Sequence, residues 1–178
     1  VKSTAQASNI EILYDGLSAV GVIGSLSPFA FFGAIWILFD RFLWKWRPII
    51  SLHGVPNLSG IWKGTGQSDF TENGKSTSFE MSIRITQTFS KIECRSEFEN
   101  SSSTSGIVGI HGFNPTDSSC LLEFSYKNDA GTKAVINRSW DCEHSGFNWI
   151  DCHDGKMTGH YFTNRDNPTS GTFEIRKE

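Results

Sequence analysis

The stretch Ser78–Thr88, with the sequence SFEMSIRITQT, decides the fold class of this chain. Apolar side chains stand at Phe79, Met81, Ile83 and Ile85, and polar side chains stand between them. Successive side chains of a β-strand point to opposite faces of its sheet, so this alternation predicts a strand with one buried and one solvated face. We therefore expect a strand here rather than a helix.

The same period of two recurs through the C-terminal part of the chain, in short runs that turn-forming residues separate. Examples of these turns are Asn73-Gly74, Asn114-Pro115 and Asp154-Gly155. We expect strands near residues 58–66, 77–88, 90–99, 106–113, 119–127, 133–142, 147–152, 156–163 and 171–177. Eight or nine short strands in sequence order predict an all-β domain, either a sandwich or an up-and-down barrel. A small antiparallel up-and-down barrel of calycin-like type is favoured, because closure leaves no exposed strand edge.

Upstream of the strands, residues 16–39 form an apolar run without an ionisable side chain. As a helix this run would be about 36 Å long, enough to cross a hydrocarbon core of roughly 30 Å. Arg41, Lys45 and Arg47 follow it, and basic flanks stay on the cytoplasmic side of a membrane. The sequence thus predicts a single-pass membrane protein with a cytoplasmic β-domain. The expected order is a short N-terminal segment (1–15), a transmembrane helix with its interfacial flank (16–47), a linker (48–56) and the barrel (57–178).

Composition and motifs argue against enzymatic chemistry and against nucleic-acid polymers as partners. A net charge of −3 provides no long-range field that would attract DNA or RNA. The sequence has no P-loop, no GxSxG motif and no HExxH motif, so we predict neither an enzyme nor a cofactor. A zinc site built from Cys142, His144, Cys152 and His153 is disfavoured, because adjacent strand residues point to opposite faces. No metal is therefore predicted.

Two further expectations concern the interior of the predicted barrel. Trp62, near the start of the first strand, is expected to plug the closed end and to stabilise the fold by burying its large ring. Cys94, Cys120, Cys142 and Cys152 all fall in the β-domain. In a reducing cytoplasm they are expected to be free thiols.

Two sequence motifs resemble a known family. The first is Asn57–Gly64, NLSGIWKG; the second is Met157–Arg165, MTGHYFTNR, followed by Ser170–Ile175, SGTFEI. With the apolar run before them, they resemble the SMODS-associated, two-transmembrane, β-strand-rich effectors of CBASS-type bacterial anti-phage systems. In that family a membrane anchor carries a small barrel that senses a cyclic nucleotide made by a CD-NTase enzyme. The family name implies two membrane helices, whereas this sequence shows one apolar run.

The resemblance implies a non-enzymatic effector in the bacterial inner membrane. Its cytoplasmic barrel would bind a cyclic dinucleotide or a related cyclic oligonucleotide, and binding would control homo-oligomerisation and disruption of the lipid bilayer. Such a ligand carries phosphates and flat bases, so its site needs guanidinium groups beside aromatic faces. The candidate ligand-binding residues are Arg84, Arg138, Trp140, Tyr161, Thr163, Asn164 and Arg165.

Two other functions stay open at this point. A membrane-tethered calycin-type barrel could carry a lipid or another apolar small molecule, and a scaffold could bind a protein partner through an open sheet face. The character of the lumen separates the lipid carrier from the nucleotide receptor. A lumen of Arg, Asn, Thr and Tyr side chains would favour a nucleotide, whereas Phe, Ile, Leu and Met would favour a lipid.

Overall fold

The computed structural model describes residues 28–72, 75–99, 101–130, 144–165 and 168–178. The chain divides into two compact units, Val1–Arg41 and Phe42–Glu178. The described part of the first unit is helix α1 (Pro28–Arg41), most of whose large apolar side chains are exposed. Among the described residues, no helix combines the length and the apolar character needed to cross a bilayer. Residues 16–27 of the predicted transmembrane run lie outside the described residues.

The second unit contains a closed antiparallel barrel in which each described strand pairs with the next and the last pairs with the first. The strands are β1 (Gly60–Glu72), β2 (Lys75–Gln87), β3 (Ile92–Phe98), β4 (Ser101–Asn114), β5 (Ser119–Ala130), β6 (Ser145–His153), β7 (Lys156–Asn164) and β8 (Ser170–Lys177). This arrangement confirms the predicted all-β, eight-stranded, up-and-down barrel. The predicted run at 133–142 lies outside the described residues, and each of the other predicted runs overlaps one strand.

The alternation in β2 shows which face of the sheet lies inside. Met81, Ile83 and Ile85 are buried, whereas Arg84 and Thr86 are exposed. The apolar face therefore lines the lumen, and burying a large apolar side chain contributes about 1.5–3 kcal/mol to folding. The buried core consists of Leu58, Trp62, Met81, Ile83, Ile85, Cys94, Cys120, Leu122, Phe124, Tyr126, Ile150, Cys152, Met157, Phe173 and Ile175.

One end of the barrel, which we call the base, is closed by Trp62 and by the chain that precedes β1. Trp62 is 3% exposed, and its indole N–H donates a 3.0 Å hydrogen bond to the carbonyl of Leu58. Gln87, buried at the end of β2, accepts from the Leu58 N–H at 2.9 Å and donates to the Pro56 carbonyl at 2.9 Å. The predicted core-plug role of Trp62 is confirmed.

A 3₁₀ turn (Leu43–Lys45) and helix α2 (Arg47–His53) precede the base, so part of the predicted linker is helical. The His53 ring holds this segment together. Its Nε2 lies 3.0 Å from the Trp44 carbonyl, and its Nδ1 lies 3.0 Å from the Val55 backbone N–H. A carbonyl only accepts and a backbone N–H only donates, so this geometry specifies a neutral ring with its proton on Nε2.

The cysteines that the structure describes lie in the core. Cys94, Cys120 and Cys152 are buried free thiols, while Cys142 lies outside the described residues. Burial raises the pKa of the Cys94 thiol to about 12. The thiolate is the reactive form of cysteine, so Cys94 is expected to be chemically inert in the folded protein.

Replacement of Trp62 by alanine tests the base. Trp62→Ala removes a buried ring and leaves a cavity, so we expect the free energy of unfolding to fall by about 3–5 kcal/mol in urea titrations. Trp149→Ala is the matched control, because Trp149 is 50% exposed on the outer wall. Its loss should be less than half as large. Equal losses for the two variants would show that Trp62 is not the plug.

Candidate ligand-binding site

The two ends of the lumen differ in polarity. At the end opposite the base, which we call the mouth, the buried side chains include Ser96, Ser103, Asn128 and Asn148. They take inward positions on four consecutive strands and border a cavity of about 1360 Å³. Small-molecule pockets usually measure roughly 300–1,000 Å³, so the mouth has room for a ligand of dinucleotide size.

Aromatic rings form one part of the mouth. Phe79 meets Phe98 and Tyr161 edge to face, with ring centroids 5.8 Å apart in both pairs. The Phe79 ring lies over Gly66 of the neighbouring strand β1, where a Cβ atom would overlap it. The glycine therefore lets this ring lie close to the wall, and all three rings line the cavity, where planar groups can stack on them.

A polar cluster forms another part of the mouth. A nitrogen of the Arg165 guanidinium, Nη2, lies 3.2 Å from His144 Nε2. Because a guanidinium only donates, His144 Nε2 accepts this hydrogen bond and the ring is neutral in this arrangement. Tyr126 packs edge-on against His144 with ring centroids 6.3 Å apart, and its hydroxyl donates to the Phe162 carbonyl at 3.2 Å.

Arg165 retains an unused donor. Its Nε atom is buried and has no hydrogen-bond partner among the described residues. A buried donor without a partner costs about 1–3 kcal/mol, so an acceptor brought in by a ligand would recover part of that cost. Arg165 lines the cavity, which makes its guanidinium the cation best suited to an anionic ligand in the described part of the mouth.

The two phenols at the mouth are held in their neutral form. Burial raises the pKa of Tyr126 to about 12, with a smaller contribution from Tyr161, while Arg165 acts in the opposite direction. Burial also raises the pKa of Tyr161. Both hydroxyl groups therefore remain protonated at neutral pH and can donate hydrogen bonds.

The structure brings three of the predicted ligand-binding residues to the cavity: Tyr161, Thr163 and Arg165. The Thr163 hydroxyl also lies 2.9 Å from the hydroxyl of Thr169, so it helps to hold the ends of β7 and β8 together.

The remaining predicted residues do not reach the cavity or cannot be placed. Arg84 and Asn164 are exposed, and neither lines the cavity. Arg84 lies opposite Arg95 on the outer face of the β2–β3 pair. Arg138 and Trp140 lie outside the described residues.

Sequence reasoning missed several polar residues of the mouth, although a signal for them was present. Leu122, Phe124 and Tyr126 alternate along β5, and the next inward position is Asn128. Extending this run by one step would have found Asn128, whereas the register shift between Ser105 and Val108 in β4 breaks the alternation that leads to Ser103. The missed residues are Ser96, Ser103, Tyr126, Asn128, His144 and Asn148.

The candidate zinc ligands are not brought together in the part of the chain that the structure describes, where no cluster of His, Cys, Asp and Glu suits a metal ion. Cys152 is buried in the lumen, whereas the adjacent His153 is exposed, in line with the opposite faces expected of neighbouring strand residues. Cys142 lies outside the described residues.

Alkaline pH should weaken the fold through Tyr126. Its pKa of about 12 in the folded protein exceeds the ordinary tyrosine pKa of about 10, so the unfolded chain loses this proton first. The free energy of unfolding should then fall by roughly 2–3 kcal/mol between about pH 10 and 12. Phenylalanine has no ionisable proton at this position. The Tyr126→Phe variant should therefore have a lower free energy of unfolding below about pH 10, but this free energy should fall less between about pH 10 and 12. Urea titrations at several pH values measure both curves, and parallel curves would contradict the assignment.

Comparison with known proteins agrees with this geometry. Residues 53–177 match the family model described as "Cap15, cyclic dinucleotide receptor domain". The chain is also similar to CD-NTase-associated protein 15 of Staphylococcus schleiferi, with 29% identity over 150 residues that cover 80% of this chain and 72% of that protein. These matches support the CBASS effector family suggested by the two sequence motifs, without testing the number of membrane helices. The chain thus belongs to the family of Cap15 cyclic dinucleotide receptor domains.

Proposed function

We propose that this protein is a membrane-anchored, non-enzymatic anti-phage effector whose barrel binds a cyclic dinucleotide or a related cyclic oligonucleotide at its mouth. The observation that carries the proposal is the pairing of a guanidinium with aromatic rings in one cavity. Arg165 and the rings of Phe79, Phe98 and Tyr161 all line this space. A cyclic dinucleotide needs both kinds of group, because it presents phosphates and flat bases together.

The buried polar groups of the mouth support the same ligand. Asn128 and Asn148 are each 5% exposed, and both amides line the cavity. Buried amides can read the donors and acceptors on the edge of a base, and they discriminate strongly because an unmatched buried polar group is costly. The Nε atom of Arg165 would gain a phosphate oxygen as its acceptor.

A lipid carrier is the alternative, and the base end of the lumen argues against it. Ile83, Leu122, Ile150 and Ile175 are completely buried there. These side chains pack against one another within the core cluster, so the apolar half of the lumen is filled by the protein itself. The cavity lies toward the mouth, where an acyl chain would offer no hydrogen-bond acceptor to the buried Nε atom of Arg165.

The effector part of the proposal concerns the membrane. The uncharged run at residues 16–39 and the cations Arg41, Lys45 and Arg47 support an anchor in the bacterial inner membrane with the barrel in the cytoplasm. Ligand binding then controls homo-oligomerisation and disruption of the bilayer. This control requires only that the ligand bind one assembly state more tightly than another.

Substitution of Arg165 tests the ligand site. Arg165→Ala should weaken binding of a cyclic dinucleotide by roughly tenfold to a hundredfold, because a charge-assisted contact is worth about 1.5–3 kcal/mol. Arg165→Lys should also weaken binding, since an ammonium cannot reproduce the planar fork. Arg84→Ala is the matched control on the outer wall and should bind like wild type. Isothermal titration calorimetry with a panel of cyclic dinucleotides measures these affinities.

Wild-type affinity in a folded Arg165→Ala variant would contradict the placement of the site. Arg138→Ala and Trp140→Ala in the same assay test the two predicted residues that the structure does not describe. If the wild-type chain bound none of the cyclic dinucleotides or larger cyclic oligonucleotides, the proposed function itself would be wrong.

Cysteine labelling tests the orientation of the barrel. The buried thiols Cys94, Cys120 and Cys152 do not report on it, so Thr158→Cys on the exposed face of β7 is used with Cys142→Ser. In intact cells an impermeant maleimide should leave the new thiol unlabelled, because the basic flank predicts a barrel in the cytoplasm. Labelling after permeabilisation is the control for reactivity. Labelling of intact cells would place the barrel outside the cytoplasm.

A further inference from the structure

The first residues of the barrel unit present large apolar side chains to solvent. Phe42 is 61% exposed, Trp46 is 62% exposed and Leu52 is 87% exposed. The same segment turns other side chains inward, since Trp44 is fully buried and His53 is partly buried. Three large exposed apolar side chains in one short segment are more than the single scattered surface residues that need no explanation.

The charge of this segment is one-sided. Lys45 and Arg47 are exposed between the apolar side chains, and no acidic residue occurs from Phe42 to Ser68. The whole chain has a net charge of −3, so this positive segment stands out against an acidic molecule. A tryptophan with flanking lysine and arginine is the combination that proteins place at the boundary between headgroups and acyl chains.

The surface belongs to the barrel because its supporting segment is fixed to the base. The His53 ring bridges the Trp44 carbonyl and the Val55 N–H, with both hydrogen bonds at 3.0 Å. The same ring packs edge-on against Phe89 in the β2–β3 turn, with centroids 5.1 Å apart. The lysine ammonium of Lys45 lies 5.8 Å from the Trp44 ring. The exposed side chains are thus held at the base end, away from the mouth.

We propose that Phe42, Lys45, Trp46, Arg47 and Leu52 form a lipid-docking surface that binds an anionic bilayer without help from a membrane-crossing helix. The inference rests on the membrane location in the proposed function, but it assigns a second, peripheral contact to the barrel unit itself. Apolar side chains enter the headgroup region while the two cations pair with lipid phosphates. Because the surface lies at the base, docking leaves the mouth free for its ligand.

Charge favours a lipid surface over a second copy of this chain as the occupant. A two-fold contact through the same surface would bring Lys45 and Arg47 of both copies together in a desolvated interface. An anionic bilayer instead offers many negative groups to these cations, and its soft boundary accepts Trp46 and Leu52 without a complementary pocket.

Vesicle flotation of residues 42–178 tests the proposal. This fragment is one compact unit that contains every described strand and the whole core, so it is expected to fold alone. It should float with vesicles of phosphatidylcholine and phosphatidylglycerol, and much less with phosphatidylcholine alone. Lys45→Gln and Arg47→Gln should each lower the partition coefficient roughly fivefold, and high salt should reduce wild-type binding.

Trp46→Ala tests the apolar side chains of the lipid-docking surface, and Trp149→Ala is its control. Trp46→Ala should lower the partition coefficient tenfold or more, whereas Trp149→Ala, which removes an exposed tryptophan from the barrel wall, should leave it unchanged. Failure of the wild-type fragment to bind anionic vesicles, equal binding to neutral vesicles, or wild-type binding by Trp46→Ala would each overturn the proposal. Calorimetry with cyclic dinucleotides on the same fragment keeps the two hypotheses apart, because nucleotide binding should survive all of these substitutions.

Discussion

The hydrogen-bonded pairing of β1 with β8 is the constraint on which the rest of the structure depends. It sets Gly64 opposite Ile175 and Gly66 opposite Phe173, and it turns a meander of strands into a closed barrel. Each described strand then has two neighbours, so none of these strands leaves an open edge that could recruit another chain. Closure also gives every strand one inward and one outward face. A barrel of eight strands is just wide enough to be filled by side chains or to hold one small ligand. The inward-facing residues therefore determine whether a given part of the lumen is filled or open.

The up-and-down strand order separates the base of the lumen, which side chains fill, from the mouth, which contains the cavity. Strand β2 passes from Phe79 near the mouth to Ile85 near the base, whereas β5 runs in the opposite direction from Cys120 to Asn128. The inward polar residues that border the cavity, such as Ser103 in β4 and Asn128 in β5, therefore occur early in even-numbered strands and late in odd-numbered strands, and the antiparallel arrangement collects them at one end. Stability and recognition are thus assigned to different parts of each strand. A substitution at the base removes packing, whereas one at the mouth changes the groups that a ligand meets.

The base has a second role under the proposed function, because it joins the barrel to the segment that faces the membrane. Gln87 and His53 each bind two backbone groups there, which fixes residues 44–58 against the strand ends. A ligand at the mouth is separated from this surface by the close-packed core. Under the proposed function, the ligand therefore acts on the assembly of several copies of the chain rather than through the packed core of one copy.

The period of two and the turn residues predicted the strands and their order, because both are local properties that each segment carries alone. The sequence favoured a closed barrel over a sandwich because closure removes exposed strand edges, and the pairing of β1 with β8 confirms this choice. The sequence also identified Trp62 as the plug and pointed to Tyr161 and Arg165. The folded barrel, and not the local sequence, sets Arg84 on the outside, since the choice of inward face depends on how all the strands close together. It likewise decided that Arg165 meets His144, 21 residues away in the chain, because register and closure set the level of each residue in the lumen.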